Sequence, residues 1–570
     1  MIMDRDVAIR MDDGIDLRAD LFRPDSEYPA PVVMTMGPYG KGLDWKHSRM
    51  RPRWDSLVAE HPEILEGSTT SYMTWETVDP ERWVPLGYAV IRVDSRGAGR
   101  SPGFLDPFSE RETRDYYTAI EWAGTQKWSN GKVGLLGISY HAINQWRVAA
   151  LQQPHLAAII PWEGASDYYR DFVRHGGILS NAFMSHWYEG PILTMQHGLG
   201  IAGPNDEWLH EPATGPVTLE PEVLAQNRVD VLEQARRHSL DDDYYRSRSA
   251  DLSRVQVPLL SCANWGGLGL HSRGNFEGFS RAASRRKWLE VHGGAHWESF
   301  YLPHSVELQR RFFDQFLKGE DTGWDRQAAV MLNVRHADGT FERRDENEWP
   351  LRRTRWTELY LDADAHNADW SPTSTAAEHS FQALSEVVTF SSPPLATNTE
   401  ITGPLAANLF AASSSSDLDL FVTFRAFLPD GREVTFEGAN DPRAPLSQGW
   451  LRASHRQLDP ARSKSYQPFH IHRNIKPVAP GEVYELNVEL WPTCVVLPQG
   501  SVLALTVGGC DFERSDQAGD GTGFLRGSGH FLHNDPVDRP QARIGGIITL
   551  HSGPGRVSLL LLPVIPNVPG

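Results

Sequence analysis

The stretch that decides the fold is Val133-Gly-Leu-Leu-Gly-Ile-Ser-Tyr140, followed by a helical run from His141 to about Leu151. An apolar strand runs straight into a Gly-x-Ser turn and then into a helix. Such a strand–turn–helix elbow forces its serine into a tight backbone conformation and lifts the hydroxyl off the carboxyl edge of a sheet. Gly-x-Ser alone is a common triplet, so its weight rests on what surrounds it.

Working outward, short continuous apolar runs recur at Pro31–Met36, Tyr88–Val93, Leu156–Pro161, Val257–Cys262 and Trp288–Val291. Runs of this length, rich in Val, Ile and Leu, mark strands buried on both faces. Glu110–Thr125 has apolar residues at helical spacing and reads as the crossover helix before the elbow strand. Strand–helix alternation predicts a parallel, doubly wound α/β sheet. Residues 5–24 alternate around Asp12-Asp13-Gly14 and predict a hairpin. Residues 165–250 break the strand series with Trp, His and Tyr and then an acidic helical segment, which reads as a helical cap over the strand ends. Ser305–Lys318 is amphipathic and stops at Gly319, a closing helix with its C-cap. Beyond about residue 327 helical periodicity gives way to alternating strands such as Leu418–Phe427 and Val502–Val507, separated by Pro429-Asp-Gly431 and Pro480-Gly481. This pattern predicts a β-sandwich of jelly-roll type. The expected division is residues 1–164 and 251–320 for the α/β domain, 165–250 for the cap, and 321–570 for the sandwich.

A chain of 570 residues is too long for one core. Its net charge of −18 argues against nucleic acid or an anionic membrane as partner. Three widely spaced cysteines offer neither a disulfide framework nor a structural zinc site. With no apolar leader and no run of 18 apolar residues, a soluble, cytoplasmic protein is expected. No H-E-x-x-H, phosphate loop or Cys/His ligand set is present, so no metal or organic cofactor is expected.

Ser139 is the candidate nucleophile and needs a base. Strand Trp288–Val291 leads into His292-Gly-Gly-Ala-His296. A histidine on the loop after a late strand is where an α/β-hydrolase carries its base; His296 fits that place, with His292 still in the strand. Gly37-Pro-Tyr39-Gly-Lys41 closes another strand at the same edge. The Tyr140 amide and the Tyr39 hydroxyl are the candidate donors to an oxyanion. Asp94-Ser-Arg-Gly-Ala-Gly-Arg-Ser101-Pro-Gly103 lacks the spacing of a dinucleotide loop and reads as structural support.

Taken together, Gly-Pro-Tyr39-Gly-Lys, Asp94-x-Arg-Gly-x-Gly-x-Ser101-x-Gly, Gly-Ile-Ser139-Tyr and Gln145-Trp146 resemble the X-prolyl dipeptidyl-peptidase and cocaine-esterase (CocE/NonD) hydrolases. Glu400-Ile-Thr-Gly403-Pro, Ser415-Ser-Asp417-Leu-Asp419 and Leu497-Pro-x-Gly500 extend the resemblance over nearly the whole chain. It implies an α/β-hydrolase domain with a helical cap and a C-terminal jelly roll, and a Ser–His–acid hydrolase of esters or amides that holds its oxyanion with Tyr39 and Tyr140.

Two positions depart from that pattern. Ala142 replaces a glycine on the elbow helix, and Gly267 stands where the family carries its acid, in Asn264-Trp265-Gly266-Gly267. Either an orienting acid is missing, or the chain is a non-catalytic binding homologue, or the acid comes from another strand. Leu156–Pro161, which ends in Trp162-Glu163-Gly164, opens to the same edge, and Ser139…Glu163…His296 keeps the chain order of the fold. Glu163 is therefore the expected acid, with Asp167 as the alternative. Trp162, Phe183, Trp187, Tyr188 and Trp265 are expected to shape the substrate pocket. The substrate would be a small-molecule ester or amide, with an X-prolyl aminopeptidase or acylase as the variant reading. A flat sandwich face leaves room for a homo-oligomer.

Overall fold

The structure is a computed structural model, and it describes residues 1–43, 51–439, 441–514 and 531–566. Among the described residues, ten strands make one sheet: β1 (Ile2–Arg10), β2 (Asp16–Arg23), β3 (Ala30–Gly37), β4 (Ala89–Asp94), β5 (Ser129–Ile138), β6 (Leu156–Trp162), β7 (Leu259–Asn264), β8 (Lys287–His292), β9 (Val330–Arg335) and β10 (Phe341–Glu346). Their order is β1-β2-β4-β3-β5-β6-β7-β8-β9-β10. The strands from β4 to β9 in that order run parallel, with an antiparallel hairpin at one edge and β10 antiparallel at the other. The continuous apolar runs fall on the parallel strands because helices cover both faces there. α1 (Glu110–Gly124) starts on Ser109, whose side chain accepts from the Glu112 amide; α2 (Tyr140–Ala149) follows the elbow; α3 (Arg273–Arg281) links β7 to β8. α4 (Pro303–Phe313) runs on through a wider π-type turn, Asp314–Lys318, and stops at left-handed Gly319.

The sheet reaches further along the chain than expected. β9 pairs parallel with β8, and β10 pairs with β9, so residues 330–346 lie in the α/β sheet although the pattern put them in the following domain. Val330–Arg335 is almost wholly buried and Phe341–Glu346 is mostly polar and exposed, so neither alternates with period two, and strand pairing rather than periodicity places them in this sheet.

From Arg355 onward the chain forms a second sheet of eleven described strands, ending with Leu559–Ile565. Its two long members, Thr399–Ser413 and Tyr484–Leu497, pair antiparallel with a register shift between Gly403 and Leu405. Their inward residues, Leu405, Leu409, Leu486, Val488 and Leu490 among them, form an all-β core of their own. Between β6 and β7 the chain makes short helices, including Asn181–Trp187 and Val231–Arg237, joined by irregular turns. Tyr168, Phe172, Trp187 and Tyr188 of this insert pack with Tyr39, Phe108 and Tyr140, which rise from the carboxyl edge of the sheet. No helix among the described residues is long and apolar enough to cross a membrane.

Candidate active site

Ser139 occupies a backbone conformation that an L-residue rarely adopts, φ 55° and ψ −111°. Its N–H donates to the Trp162 carbonyl at 3.0 Å, and the Ile138 N–H donates to the Glu76 carbonyl at 3.1 Å. Glu76 (φ 60°) and Glu163 (φ 50°) also have positive φ. Each such residue costs on the order of 1–3 kcal/mol and persists only where its surroundings enforce it. Three of them meet at one point of the sheet edge.

The side chains form a buried chain of imidazoles and carboxylates. Ser139 Oγ lies 3.1 Å from His271 Nε2. The His271 ring stacks on His296, with centroids 4.2 Å apart. His296 Nδ1 is 2.7 Å from Glu163 Oε2, and its Nε2 is 3.2 Å from Glu76 Oε1. The other Glu163 oxygen lies 3.0 Å from His292 Nε2 and accepts from Asn264 Nδ2 at 3.2 Å. His292 Nδ1 is held by Glu290 at 2.7 Å. Glu163, His271 and His296 each offer a donor atom within 4.8 Å of the other two.

Electrostatics divides the two stacked rings. For His296 burial works against the charged form, but the Glu163 charge and the bonds to Glu163 and Glu76 prevail and push its pKa up to about 9. For Glu163 burial works against ionisation, and the charge of His296 with bonds from both histidines brings it down to about 2. His292, between Glu290 and Glu163, rises to about 10 against the effect of its own burial. Among the described residues His271 has no carboxylate hydrogen-bond partner, and burial, with His296 beside it, pulls its pKa well below the usual imidazole value. At neutral pH His296 therefore carries a proton on each nitrogen, whereas His271 is neutral with a lone pair to offer. Burial raises the Glu76 carboxyl.

The oxyanion candidates lie beside this chain. The Tyr39 hydroxyl accepts from Trp187 Nε1 at 2.9 Å. Burial, reinforced by the Glu76 charge, raises its pKa well above the ordinary value, so it keeps its proton for donation. The Tyr140 amide opens α2, where the first N–H groups of a helix have no intrahelical acceptor. The Tyr140 ring packs against Tyr39 and Phe108 and donates its hydroxyl to Glu112 at 2.6 Å. The loop after β4 is scaffolding, with the Asp94 carboxylate accepting the Lys41 and Arg100 amides.

The expected residues thus fall into groups. Glu163 meets His296, while the ring within hydrogen-bond distance of Ser139 is His271 rather than His296, whose Nε2 is taken by Glu76. Asp167 caps its own turn and pairs with Arg170, away from the histidines. Phe183, Trp187 and Tyr188 join the aromatic cluster around Tyr39. Trp162 and Trp265 do not: Trp162 stacks on His292 within the sheet core, and Trp265 packs against Phe276 and Trp349. An aromatic residue at a strand end is equally suited to core or pocket, and here the tight helix packing at α3 and α4 decides for core. His271 and Glu76 carried no sequence signal, because neither sits at a motif position and the positive φ of Glu76 is not visible in its residue type.

Ala142 and Gly267 also find their explanation. A Cβ on Gly164 would lie 2.6 Å from the Ala142 methyl, so the methyl on the elbow helix occupies space left by a glycine on the next strand end. A Cβ on Gly267 would meet Ser272 N at 3.1 Å and Asn264 O at 3.2 Å, where Gly267 O already accepts from the His271 amide. An aspartate there would require His271, Ser272 and Asn264 to give by a few tenths of an ångström.

Comparison with known proteins agrees with this architecture. The family model for X-Pro dipeptidyl-peptidase (S15 family) matches residues 13–298, and that for the X-Pro dipeptidyl-peptidase C-terminal non-catalytic domain matches residues 322–560. The chain belongs to the S15 family. Its relatives include the cocaine esterase of Rhodococcus sp. (strain MB1 Bresler), 24% identical over 98% of each chain. A solved CocE/NonD family hydrolase from Staphylococcus aureus is 34% identical, with 99% of this chain and 94% of that one aligned at a TM-score of 0.85. An α-amino acid ester hydrolase structure (16% identity, TM-score 0.66, covering 99% of this chain and 96% of that one) shares the fold. This S15 chain is a serine hydrolase, with an N-terminal α/β domain and an all-β C-terminal domain, and relatives that are esterases and peptidases.

Proposed function

We propose that the protein hydrolyses small-molecule carboxylic esters or amides through an acyl-enzyme formed on Ser139. The observation that carries this reading is Ser139 Oγ at 3.1 Å from a neutral, buried imidazole, at a positive-φ elbow. His271 Nε2 takes the Ser139 proton as the hydroxyl attacks the acyl carbonyl, and the Tyr39 hydroxyl and Tyr140 amide hold the oxyanion. A second cation stacked on His296 would be costly. As His271 gains its proton, His296 passes its own from Nε2 to Glu76, whose buried carboxyl favours the neutral form. One positive charge then remains in the stacked pair, on His271, while neutral His296 keeps its Nδ1 bond to Glu163. His271 returns its proton to the leaving alcohol or amine, and a water repeats the sequence to release the acid.

The insert between β6 and β7 serves as the cap, with Phe183, Trp187 and Tyr188 lining the substrate side, and the C-terminal sheet takes jelly-roll form. The test uses p-nitrophenyl acetate and an X-Pro p-nitroanilide in parallel with a fluorophosphonate probe. Turnover of either substrate, with label on Ser139 lost in Ser139→Ala, is the expected result. A folded chain with neither turnover nor label overturns the assignment and leaves a binding protein on a hydrolase fold.

A further inference from the structure

The cluster behind Ser139 is also a ligand set. We propose that Glu163, His271 and His296 form a site for a divalent transition-metal ion, Zn2+ foremost, and that its occupancy withdraws the imidazole from Ser139 and holds the hydrolase inactive. The inference rests on the Ser139 reading above and adds to it a mode of regulation.

Four observations converge. Two imidazoles and one carboxylate present donor atoms within 4.8 Å of one another, all buried. His2Glu is a known zinc-binding set that leaves a fourth position open, with bonds of about 2.0–2.2 Å. Tetrahedral coordination at that length brings donors to roughly 3.4 Å apart, so each side chain needs to shift by about an ångström or less. Second, among the described residues His271 Nδ1 is buried without a hydrogen-bond partner. A buried polar atom of this kind is costly to leave unsatisfied, and rotation of the ring toward the cluster would satisfy it. Third, the carboxylate is already oriented by His292 and Asn264, the outer hydrogen bonds that fix a metal-bound ligand. Fourth, Glu76 and Glu163 flank His296, so the metal enters a pocket with carboxylates on two sides. Nitrogen donors select a transition metal over Mg2+ or Ca2+. Binding breaks no covalent bond; the ion takes the place of the proton that His296 shares with its carboxylates, and that proton leaves to solvent. Once ligated, His271 has no lone pair for Ser139.

The test adds ZnCl2 to the chelator-treated full chain. Calorimetry is expected to give one ion per chain, with fluorophosphonate labelling of Ser139 slowed at least tenfold and restored by EDTA. Co2+ in place of Zn2+ is expected to give the visible absorption of a four-coordinate site in the unmodified chain. His271→Asn and Glu163→Gln, checked for folding by circular dichroism, should each weaken the ion at least tenfold in calorimetry, a readout that does not depend on activity. Absence of stoichiometric binding by an active chain overturns the metal site and leaves the hydrolase reading intact. Binding unweakened in both variants, or a zinc-loaded chain labelled at full rate, also overturns it. A metal-free chain with neither label nor turnover overturns the Ser139 reading instead, and with it the inhibitory role.

Discussion

At the residue scale the proposed mechanism divides between two rings the work that a Ser–His–acid triad gives to one. His296 is the ring hydrogen-bonded to Glu163, and His271 is the ring within hydrogen-bond distance of Ser139. Each is therefore expected to be needed. Glu163→Gln removes the charge that holds His296 protonated, and kcat should fall by about 10³–10⁴, the scale seen when a triad acid is neutralised. Steady-state kinetics with unchanged fluorophosphonate access would check it, and wild-type kcat would refute the role of Glu163. Asp at position 267 is not expected to rescue that variant. Its Cβ would press on backbone atoms of Asn264 and Ser272, so Gly267→Asp should lower stability by about 1–3 kcal/mol, the range for overpacking, read as a shift in denaturant midpoint.

At the scale of elements, the elbow depends on how closely α2 meets the end of β6. Gly164→Ala places a methyl 2.6 Å from that of Ala142. A loss of about 1–3 kcal/mol is expected, with part of it recovered in the double variant Gly164→Ala/Ala142→Gly. A strictly additive double-mutant cycle would show that the two positions do not touch. The end of β8 and the loop after it make a second prediction. His292 and His296 titrate near 10 and 9 in the folded chain, above the ordinary imidazole value of about 6.5. The folded state keeps protons that the unfolded state has released, so their contribution is complete below about pH 6.5 and is lost as pH rises through 9 to 10. Denaturant melts across pH 7–10 should show falling stability, with a smaller slope in Glu163→Gln.

At the scale of the whole molecule, the insert and the all-β domain meet around buried histidines, with Tyr169 of the insert packed on His472. His455 lies 3.1 Å from His472, and His470 packs on the same ring. Arg170 crosses from the insert to the His470 carbonyl, while Arg174 and Arg452 share Asp538. Burial, with Arg452 and Arg174 nearby, depresses His455 to about 3; burial, with Arg170 and Arg273 nearby, depresses His470 to about 3. Here the unfolded chain binds the protons first, so stability falls as pH drops below about 6.5 toward 3. Loss of activity on acidification should coincide with proteolytic exposure of the junction between the insert and the all-β domain. Limited proteolysis at pH 7 and pH 5 checks this, and identical digestion patterns would refute it.

The extent to which this protein was legible in advance follows from the range of the interactions involved. The parallel sheet, the elbow at Ser139 and the all-β second half are written in local patterns: apolar runs of strand length, a Gly-x-Ser turn and period-two alternation. The resemblance to a hydrolase family likewise rests on short motifs spread along the chain. The placement of Glu163 beside His296 follows from strand order, which brings the end of β6 next to the end of β7; its role as the acid belongs to the proposed mechanism. What only the tertiary structure decided lies between elements. That His271 rather than His296 touches Ser139, that Glu76 holds the far side of His296, and that residues 330–346 extend the α/β sheet all depend on ring stacking, strand pairing and positive-φ backbone across segments up to 220 residues apart. No local pattern encodes such contacts, because each is fixed by two distant stretches at once and takes its energy from burial that exists only after the chain has folded.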